Sequence, residues 1–371
     1  MGGGATSVVN QLLAFTSEFD LSVVHGGSGR IAEACERMKI PHWQVPLDRP
    51  LKLPIGLLAL TFRLHKLQPD IVFLHGQWAG PVGAVAARLA GIARVIYICH
   101  WPSFYTDWDF FRIVRNRLAE DIPCAFAMRV VLLSRGSYYQ YLIRQIADPR
   151  KMRLIHNWVD SIDHLPSART PEILVAHGWN TALCNVIAIG RLADQKRFDW
   201  LLRTWKIVMA KASNARLWII GDGPERDALE RLEKQLGLRD SCVFLGAHSE
   251  ARSFISAADF VAMTSLYEGH ALIPLEAMAC GKAIVASDVD GVNDSLTDGV
   301  EGFLVPAGEI EVFADRILRL IADAELRASM GARGRERVAQ FSAARGHDEY
   351  RALIHEVLAT RARGSAIENR R

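Results

Sequence analysis

Short apolar runs alternate along the chain with stretches whose apolar residues recur every three or four positions. This is the rhythm of strand–helix–strand units built around parallel sheets. In the first half, runs at 20–24, 71–74, 94–98, 129–133 and 153–155 predict strands. In the second half, the runs at 185–189, 216–220, 242–245, 260–263, 283–286 and 302–305 do so. Between them Phe198, Leu201, Leu202, Trp205, Val208 and Met209 recur at helical spacing, and Leu229, Leu232 and Leu236 lead to the helix-stopping Gly237. Two such sets are too many for one sheet with short connections, so the pattern predicts an α/β chain of two doubly wound domains. The boundary is expected between 160 and 183, where Pro166, Ser167, Pro171 and Gly178 interrupt the rhythm. Thr170-Pro171 predicts a helix start, with threonine as cap and proline as first helical residue. The expected division is 1–172, 173–344 and 345–371, the last a terminal helix packing back on the first domain and a tail with Arg361, Arg363, Arg370 and Arg371.

One feature breaks the pattern. A doubly wound domain carries its glycine-rich turn after the first strand, where it opens the first helix. Here Gly2, Gly3 and Gly4 follow Met1 at once and precede a helical pattern through Val8, Val9, Leu12 and Leu13. The turn is expected, and the strand that should feed it is missing.

Composition narrows the function classes. Half of the 371 residues are hydrophobic and 23% are charged, which suits a globular protein and excludes disorder. The net charge of +3 is too balanced for a dedicated nucleic-acid binder. Six scattered cysteines form no CxxC pair, which argues against a zinc site or disulfide framework and for a reducing compartment. The best apolar run, 51–62, contains Lys52 and Pro54 and falls short of a membrane span. With no signal-peptide pattern either, a cytoplasmic protein is expected.

Three turns after second-half strands could carry chemistry. The first is Glu268-Gly269-His270-Ala271-Leu272-Ile273-Pro274-Leu275-Glu276, running from a loop into a helix. Backbone N–H groups from Gly269 to Leu272 would face a phosphate at the positive helix end, with carboxylates on either side for sugar hydroxyls. The second is Gly190-Arg191-Leu192-Ala193-Asp194-Gln195-Lys196, whose two cations can address one anion from the sheet edge. The third, Gly221-Asp222-Gly223-Pro224, lacks the last glycine of a dinucleotide fingerprint and says little alone. Taken singly, the first two read rather as a capped surface helix and a solvated basic turn.

Together the second-half motifs resemble the nucleotide-sugar domain of the retaining GT-B glycosyltransferases of family four. The matching residues are Gly190-Arg191-Leu192 with Gln195-Lys196, Gly221-Asp222-Gly223-Pro224, Phe244-Leu245-Gly246, Ala258-Asp259 and Ser265-Leu266-Tyr267-Glu268-Gly269. Leu275 to Lys282, Asp298-Gly299 and Gly302-Phe303-Leu304-Val305 complete the set. In the first half Gln68-Pro69-Asp70-Ile71-Val72, His75-Gly76, His100, Ser134 and Asn157 with Val159-Asp160 fit more loosely. Trp158 and Asp294 depart from the usual glycine and glutamate.

The resemblance implies two Rossmann-like domains facing across a cleft, and transfer of a sugar with retention of configuration. The donor would be a nucleotide diphosphate sugar and the acceptor a glycan or lipid-linked glycan. Arg191 and Lys196 would neutralise the diphosphate, Glu268 would hold donor-sugar hydroxyls, and Glu276 would hold the ribose. The backbone of Gly269, His270, Ala271 and Leu272 would lie beside the diphosphate and that of Ala247 beside the base. His100 would face the reacting sugar, with Gly3 and Gly4 near it. No metal and no other cofactor is expected, because the cations and helix end supply the positive charge. The family's sheet order places the missing strand between those at 20–24 and 71–74. The chain is therefore expected to start too late, or to receive that strand in another way.

Asp288-Val289-Asp290 and Asp107-Trp108-Asp109 spell a metal-site pattern, but the first reads as a turn and the second as part of an aromatic helix. The segment 101–118 interleaves Trp101, Phe104, Tyr105, Trp108, Phe110 and Phe111 with Arg112, Arg115 and Arg117, which suits contact with an anionic membrane. Residues 53–67, with Arg63 and Lys66, are a second candidate, and ordinary packing is the alternative for both. Rival functions are a catalytically impaired nucleotide-sugar-binding partner subunit and a sugar-nucleotide epimerase.

Overall fold

The computed structural model describes residues 3–27, 29–46, 52–76, 79–102, 110–159, 170–248 and 250–360. Gly2, Phe104, Tyr105, the Asp107-Trp108-Asp109 triplet, Asp160, Pro166, Ser167 and the basic tail lie outside them. The chain divides into two compact units. The first takes Gly4–His156 and the chain from Ala344; the second takes Asn157–Ala343.

The first unit runs α1 (Gly3–Phe15), β1 (Val23–His25), α2 (Arg30–Met38), β2 (His42–Gln44), α3 (Leu53–Leu67), β3 (Val72–His75), α4 (Ala79–Leu89), β4 (Val95–Cys99), α5 (Phe110–Phe126), β5 (Arg129–Leu132), α6 (Arg135–Ile143) and β6 (Met152–Leu154). Its described strands form two separate parallel ladders, β1-β2 and β3-β4-β5-β6. No hydrogen bond joins β1 to β3 among the described residues, which is the position where the sequence expects a strand. The expected glycine turn is corrected: Gly3 and Gly4 are the first residues of helix α1, and Gly4 rests against His100. Strand β2 escaped the pattern because His42-Trp43-Gln44 is too short and too polar to form an apolar run.

Val95, Tyr97 and Cys99 of β4 face a core shared with Leu60 and Leu64 of α3, Ala84, Ala86 and Ala87 of α4, and Cys124 of α5. Gly83 lets α4 close on β3, since a Cβ there would lie 2.4 Å from a Leu74 methyl. Within this core Glu120 is fully buried and accepts hydrogen bonds from the Tyr97 hydroxyl, at 2.8 Å, and from that of Tyr141.

The second unit runs α7 (Glu172–Ala176), β7 (Cys184–Ile189), α8 (Phe198–Lys211), β8 (Ala215–Ile220), α9 (Arg226–Leu236), β9 (Cys242–Gly246), α10 (Ala251–Ala257), β10 (Phe260–Met263), α11 (Leu272–Ala279), β11 (Ala283–Asp288), β12 (Gly302–Pro306), α12 (Ile310–Ala322) and α13 (Ala324–Arg337). The closing helix α14 (Ala343–Ala359) belongs with the first unit. There Glu356 accepts from Arg129 and Arg153, and Gln11 donates to the buried Tyr350 hydroxyl. The expected helix start at Thr170-Pro171 moves by one residue: Pro171 is extended, with ψ 134°, and α7 begins at Glu172.

The six described strands of the second unit are all parallel, in the order β12-β11-β10-β7-β8-β9. The connections leave β7 towards β8 and β9 on one side and return to β10, β11 and β12 on the other. The order therefore reverses between β7 and β10, and at such a switch point the loops beyond the carboxyl ends diverge and leave a crevice. Both sheet faces are covered, by Leu201, Leu202 and Trp205 of α8 on one side and by Leu275, Ala277 and Met278 of α11 on the other.

Candidate functional site

The two strands that flank the switch point carry the two sequence motifs. The loop after β7 ends in Lys196 and the loop after β10 holds Glu268, and their side chains form an ion pair of 2.5 Å. Glu268 is 7% exposed, so the pair is largely out of water. Backbone contacts fix the approach: Leu266 N–H donates to the Gln195 carbonyl at 2.8 Å and Gln195 Nε2 donates to the Tyr267 carbonyl at 2.8 Å. Thr264 Oγ1 donates to the carbonyls of Lys196 and Arg197. Arg197 has φ 47°, a left-handed conformation uncommon outside glycine, and it turns the loop sharply into α8. Arg191 is exposed.

The glycine turn after β8 has a different role from a phosphate cradle. A Cβ on Gly221 would lie 1.8 Å from the Gly190 carbonyl oxygen, and one on Gly223 would lie 2.3 Å from that of Leu192. Leu192 N–H donates to the Asp222 carbonyl, and Gly221 N–H to that of Gly246. These glycines let three loops lie backbone against backbone, and they support the Arg191–Lys196 loop from behind. Ala247 stands exposed at the end of this row.

Helix α11 begins at Leu272 without a side-chain cap, leaving its positive end open. Glu276 sits one turn in and is half-buried. The expected row of free amides needs one correction: Ala271 N–H donates to the Gly291 carbonyl at 2.9 Å, so it is not available to a phosphate. Gly291, with φ 79°, is pressed onto this loop so closely that a Cβ would lie 2.4 Å from the Gly269 carbonyl oxygen. It belongs to the turn that contains Asp290; Asp288, at the end of β11, accepts from Asn293.

His270 contributes more than backbone. Asn157 N–H donates to its Nδ1 at 3.2 Å, and Asn157 Nδ2 donates to its carbonyl at 2.8 Å. Because Nδ1 accepts, Nε2 carries the proton and donates to Ser295 Oγ at 3.1 Å. The glutamate-bearing loop is thereby tied to the residue at which the chain enters the second unit. Nothing in the local sequence signals this bond, which spans 113 positions.

In the first unit, His75 Nδ1 and His100 Nε2 share a hydrogen bond of 3.0 Å. Burial and the neighbouring His100 ring pull the His75 imidazole down to about 3, and burial pulls His100 down to about 4. Both rings are thus neutral near pH 7. His100 Nδ1 is buried, with no hydrogen-bond partner among the described residues, beside Gly4 at the start of α1. Ser134 caps α6 by accepting from Ser137 N–H. Among the described residues no group of three or more His, Cys, Asp or Glu is placed to hold a metal.

Comparison with known proteins decides the family. Residues 1–161 match Glycosyltransferase Family 4 and residues 170–337 match Glycosyl transferases group 1. A D-inositol 3-phosphate glycosyltransferase of Saccharomonospora viridis is 32% identical over 87% of this chain and 79% of its own. The chain belongs to the group 1 glycosyltransferases of family four.

The lipopolysaccharide core biosynthesis glycosyltransferase LpsE of Rhizobium meliloti is 34% identical, over 46% of this chain and 49% of its own. The chain spans about half the length of that relative, and 56% of the N-acetyl-alpha-D-glucosaminyl L-malate synthase of Bacillus anthracis. The Anabaena protein Alr3699/HepE, solved in complex with UDP-glucose, superimposes with a TM-score of 0.85 over 96% of both chains, at 22% identity. That likeness gives the family-four chain a GT-B fold of two Rossmann-like domains.

Proposed function

We propose that this chain moves a sugar from a nucleotide diphosphate sugar to an acceptor hydroxyl, with retention of configuration and without a metal ion. The Lys196–Glu268 pair at the switch point of the second unit's sheet carries the reading. A diphosphate arriving there meets Lys196, the exposed Arg191, the amides of Gly269 and Leu272 and the positive end of α11. All of these stabilise the charge that grows on the leaving group. Displaced from the lysine, Glu268 becomes an acceptor for donor-sugar hydroxyls. Glu276 is assigned to the ribose, the Ala247 backbone to the base, and His100 to the reacting sugar. In the transfer, the bond from the anomeric carbon to the diphosphate breaks and one to the acceptor oxygen forms on the same face. The acceptor's proton leaves with the nucleoside diphosphate or to water.

Several relatives bear names from lipopolysaccharide or capsular polysaccharide synthesis, and one acts on a diphosphoundecaprenol-linked sugar. A glycan or lipid-linked glycan is therefore the proposed acceptor class. The test is a matrix of nucleotide sugars, with UDP-glucose first, against lipid-linked and soluble glycans in the presence of EDTA. Release of nucleoside diphosphate together with a new glycosidic bond, α-configured from an α-donor by NMR, is the expected result. Inversion, or turnover only with magnesium or manganese, would overturn retention or the metal-free assignment respectively. Donor binding without transfer or hydrolysis would favour the partner-subunit reading.

A further inference from the structure

The His270 side chain joins three segments of the second unit that are far apart in sequence. Its Nδ1 accepts from Asn157 N–H at 3.2 Å, its Nε2 meets Ser295 Oγ at 3.1 Å, and its ring centre lies 5.5 Å from that of Phe341. Each of these partners is itself anchored. Val159 N–H donates to the Phe341 carbonyl and Ala343 N–H to the Val159 carbonyl, both at 3.1 Å. The segments that open and close the unit are thus bonded to each other. The Ser295 carbonyl accepts from Arg337 Nε at 2.6 Å, and Ser295 N–H donates to the Val292 carbonyl at 3.0 Å. His270 is buried, so it works out of water.

The loop that carries Glu268 is held differently on its two sides. Before the glutamate, Thr264, Leu266 and Tyr267 are bonded to residues 195–197. After it comes Gly269, which has no side chain to restrict its own dihedral angles. Helix α11 starts only at Leu272, without a side-chain cap. On this side the loop is held by Ala271 N–H on the Gly291 carbonyl and by His270 on Asn157 and Ser295. Packing alone does not account for an imidazole here, because contact with Phe341 asks only for an apolar ring. The residue chosen has an acceptor and a donor in fixed directions, and both are used by anchored partners.

We infer that the His270 side chain is the positioning residue of the proposed donor loop. Through Asn157 and Ser295 it fixes where Glu268 meets the donor sugar and where the Gly269 amide meets the diphosphate. Resemblance gave a role only to the backbone of this residue. The side chain acts through its neighbours in the loop, so the inference rests on the donor reading of that loop and adds to it the group that holds it in place.

Three variants of the full chain test it, each measured below its own melting transition. His270→Phe keeps a ring against Phe341 but takes the imidazole from Asn157 N–H and Ser295 Oγ. His270→Asn returns an acceptor near the place of Nδ1, and Asn157→Asp sets a carboxylate against the His270 carbonyl. Hydrogen exchange of residues 264–272 is followed without ligand. Beside it, transfer is measured from UDP-glucose, or from whichever nucleotide sugar of the matrix gives turnover. In His270→Phe, loop exchange should quicken and kcat should fall, each about tenfold or more, because a displacement of about 1 Å can cost a hundredfold in rate. Donor KM should change less than kcat. His270→Asn should recover most of both losses, and Asn157→Asp should shift both in the same direction as His270→Phe. Unchanged loop exchange in His270→Phe, or no recovery in His270→Asn, overturns the inference, and so does normal turnover from a loosened loop. A wild-type chain that transfers no sugar would instead defeat the donor reading, and loop exchange would still decide whether His270 holds the loop.

Discussion

The two units use similar chain lengths in opposite ways. The second arranges its strands in one unbroken six-stranded ladder and hides apolar side chains on both faces. Among the described residues only Val175, Leu266 and Val312 are its exposed large apolar groups, against fourteen in the first unit. The first unit carries its described strands in two ladders and shows apolar rows to the outside. Their candidate chemistry differs as well: an ion pair braced by backbone contacts in the second unit, a neutral histidine pair in the first. A unit proposed to bind a small polar donor can be closed everywhere except at one sheet edge.

The largest effect is expected at the second unit's loops. Gly221→Ala puts a Cβ where the Gly190 carbonyl stands, in a backbone conformation that side chains rarely adopt. The cost should reach the exceptional range for a single change, about 4–5 kcal/mol, read as a fall in the denaturant midpoint. Near-wild-type stability would mean that the three loops do not lie backbone against backbone.

Next in size is the ion pair. Glu268→Gln and Lys196→Ala should each lower transfer a hundredfold or more, equivalent to about 2.7–4 kcal/mol of transition-state stabilisation. A double-mutant cycle in kcat/KM should be strongly non-additive, because the pair acts as one device. Turnover close to normal in both single variants would leave the pair a structural bridge.

The first unit offers a smaller test in its core. Tyr141→Phe removes a hydroxyl donor to the buried Glu120 carboxyl, and should cost about 1–3 kcal/mol. A neutral result would show that Glu120 finds a replacement partner, and would make this core as adaptable as its surface is open.

The gentlest test is pH. His75 and His100 hold fewer protons folded than unfolded, so the first unit is most stable above the ordinary histidine value of about 6.5. Stability should fall as pH drops from about 6.5 towards 4, and His75→Phe should flatten part of that slope. Protection of the β3 and β4 amides, followed by hydrogen exchange at several pH values, measures it. An unchanged slope in the variant would place the titrating groups elsewhere.

Much of this architecture was legible because parallel strands buried on both faces must be continuous apolar runs. Ile187, Trp218, Val261 and Ile284 have no solvent-facing alternative, and their strands could be read directly from the pattern. The three-residue strand β2 could not, because a hydrogen-bonded ladder needs no apolar signature at that length. Glycine misled at the amino end: the turn expected at Gly3 and Gly4 is the first turn of α1, since glycine permits many conformations and dictates none. In the candidate site, Lys196 and Glu268 could be picked out by motif, but their pairing across 72 positions could not. The His270–Asn157 bonds were hidden for a related reason, and of α3 and α5 the sequence could flag the segments but not the exposed rows. Each depends on which side of an element tertiary packing leaves available, and a linear pattern does not carry that information.

The Lys196–Glu268 pair makes the proposed donor site an exchanger of partners. On that proposal an incoming diphosphate would take the lysine from a carboxylate that would then stand nearly buried and without its cation. A complete sugar nucleotide repairs that loss with hydroxyls from its hexose; a bare nucleoside diphosphate does not. The spent product would therefore hold the site less well than the intact donor, and the returning carboxylate would help to expel it. One short ion pair would then distinguish a fresh substrate from a used one, and hasten the departure of the spent nucleotide before the next sugar arrives.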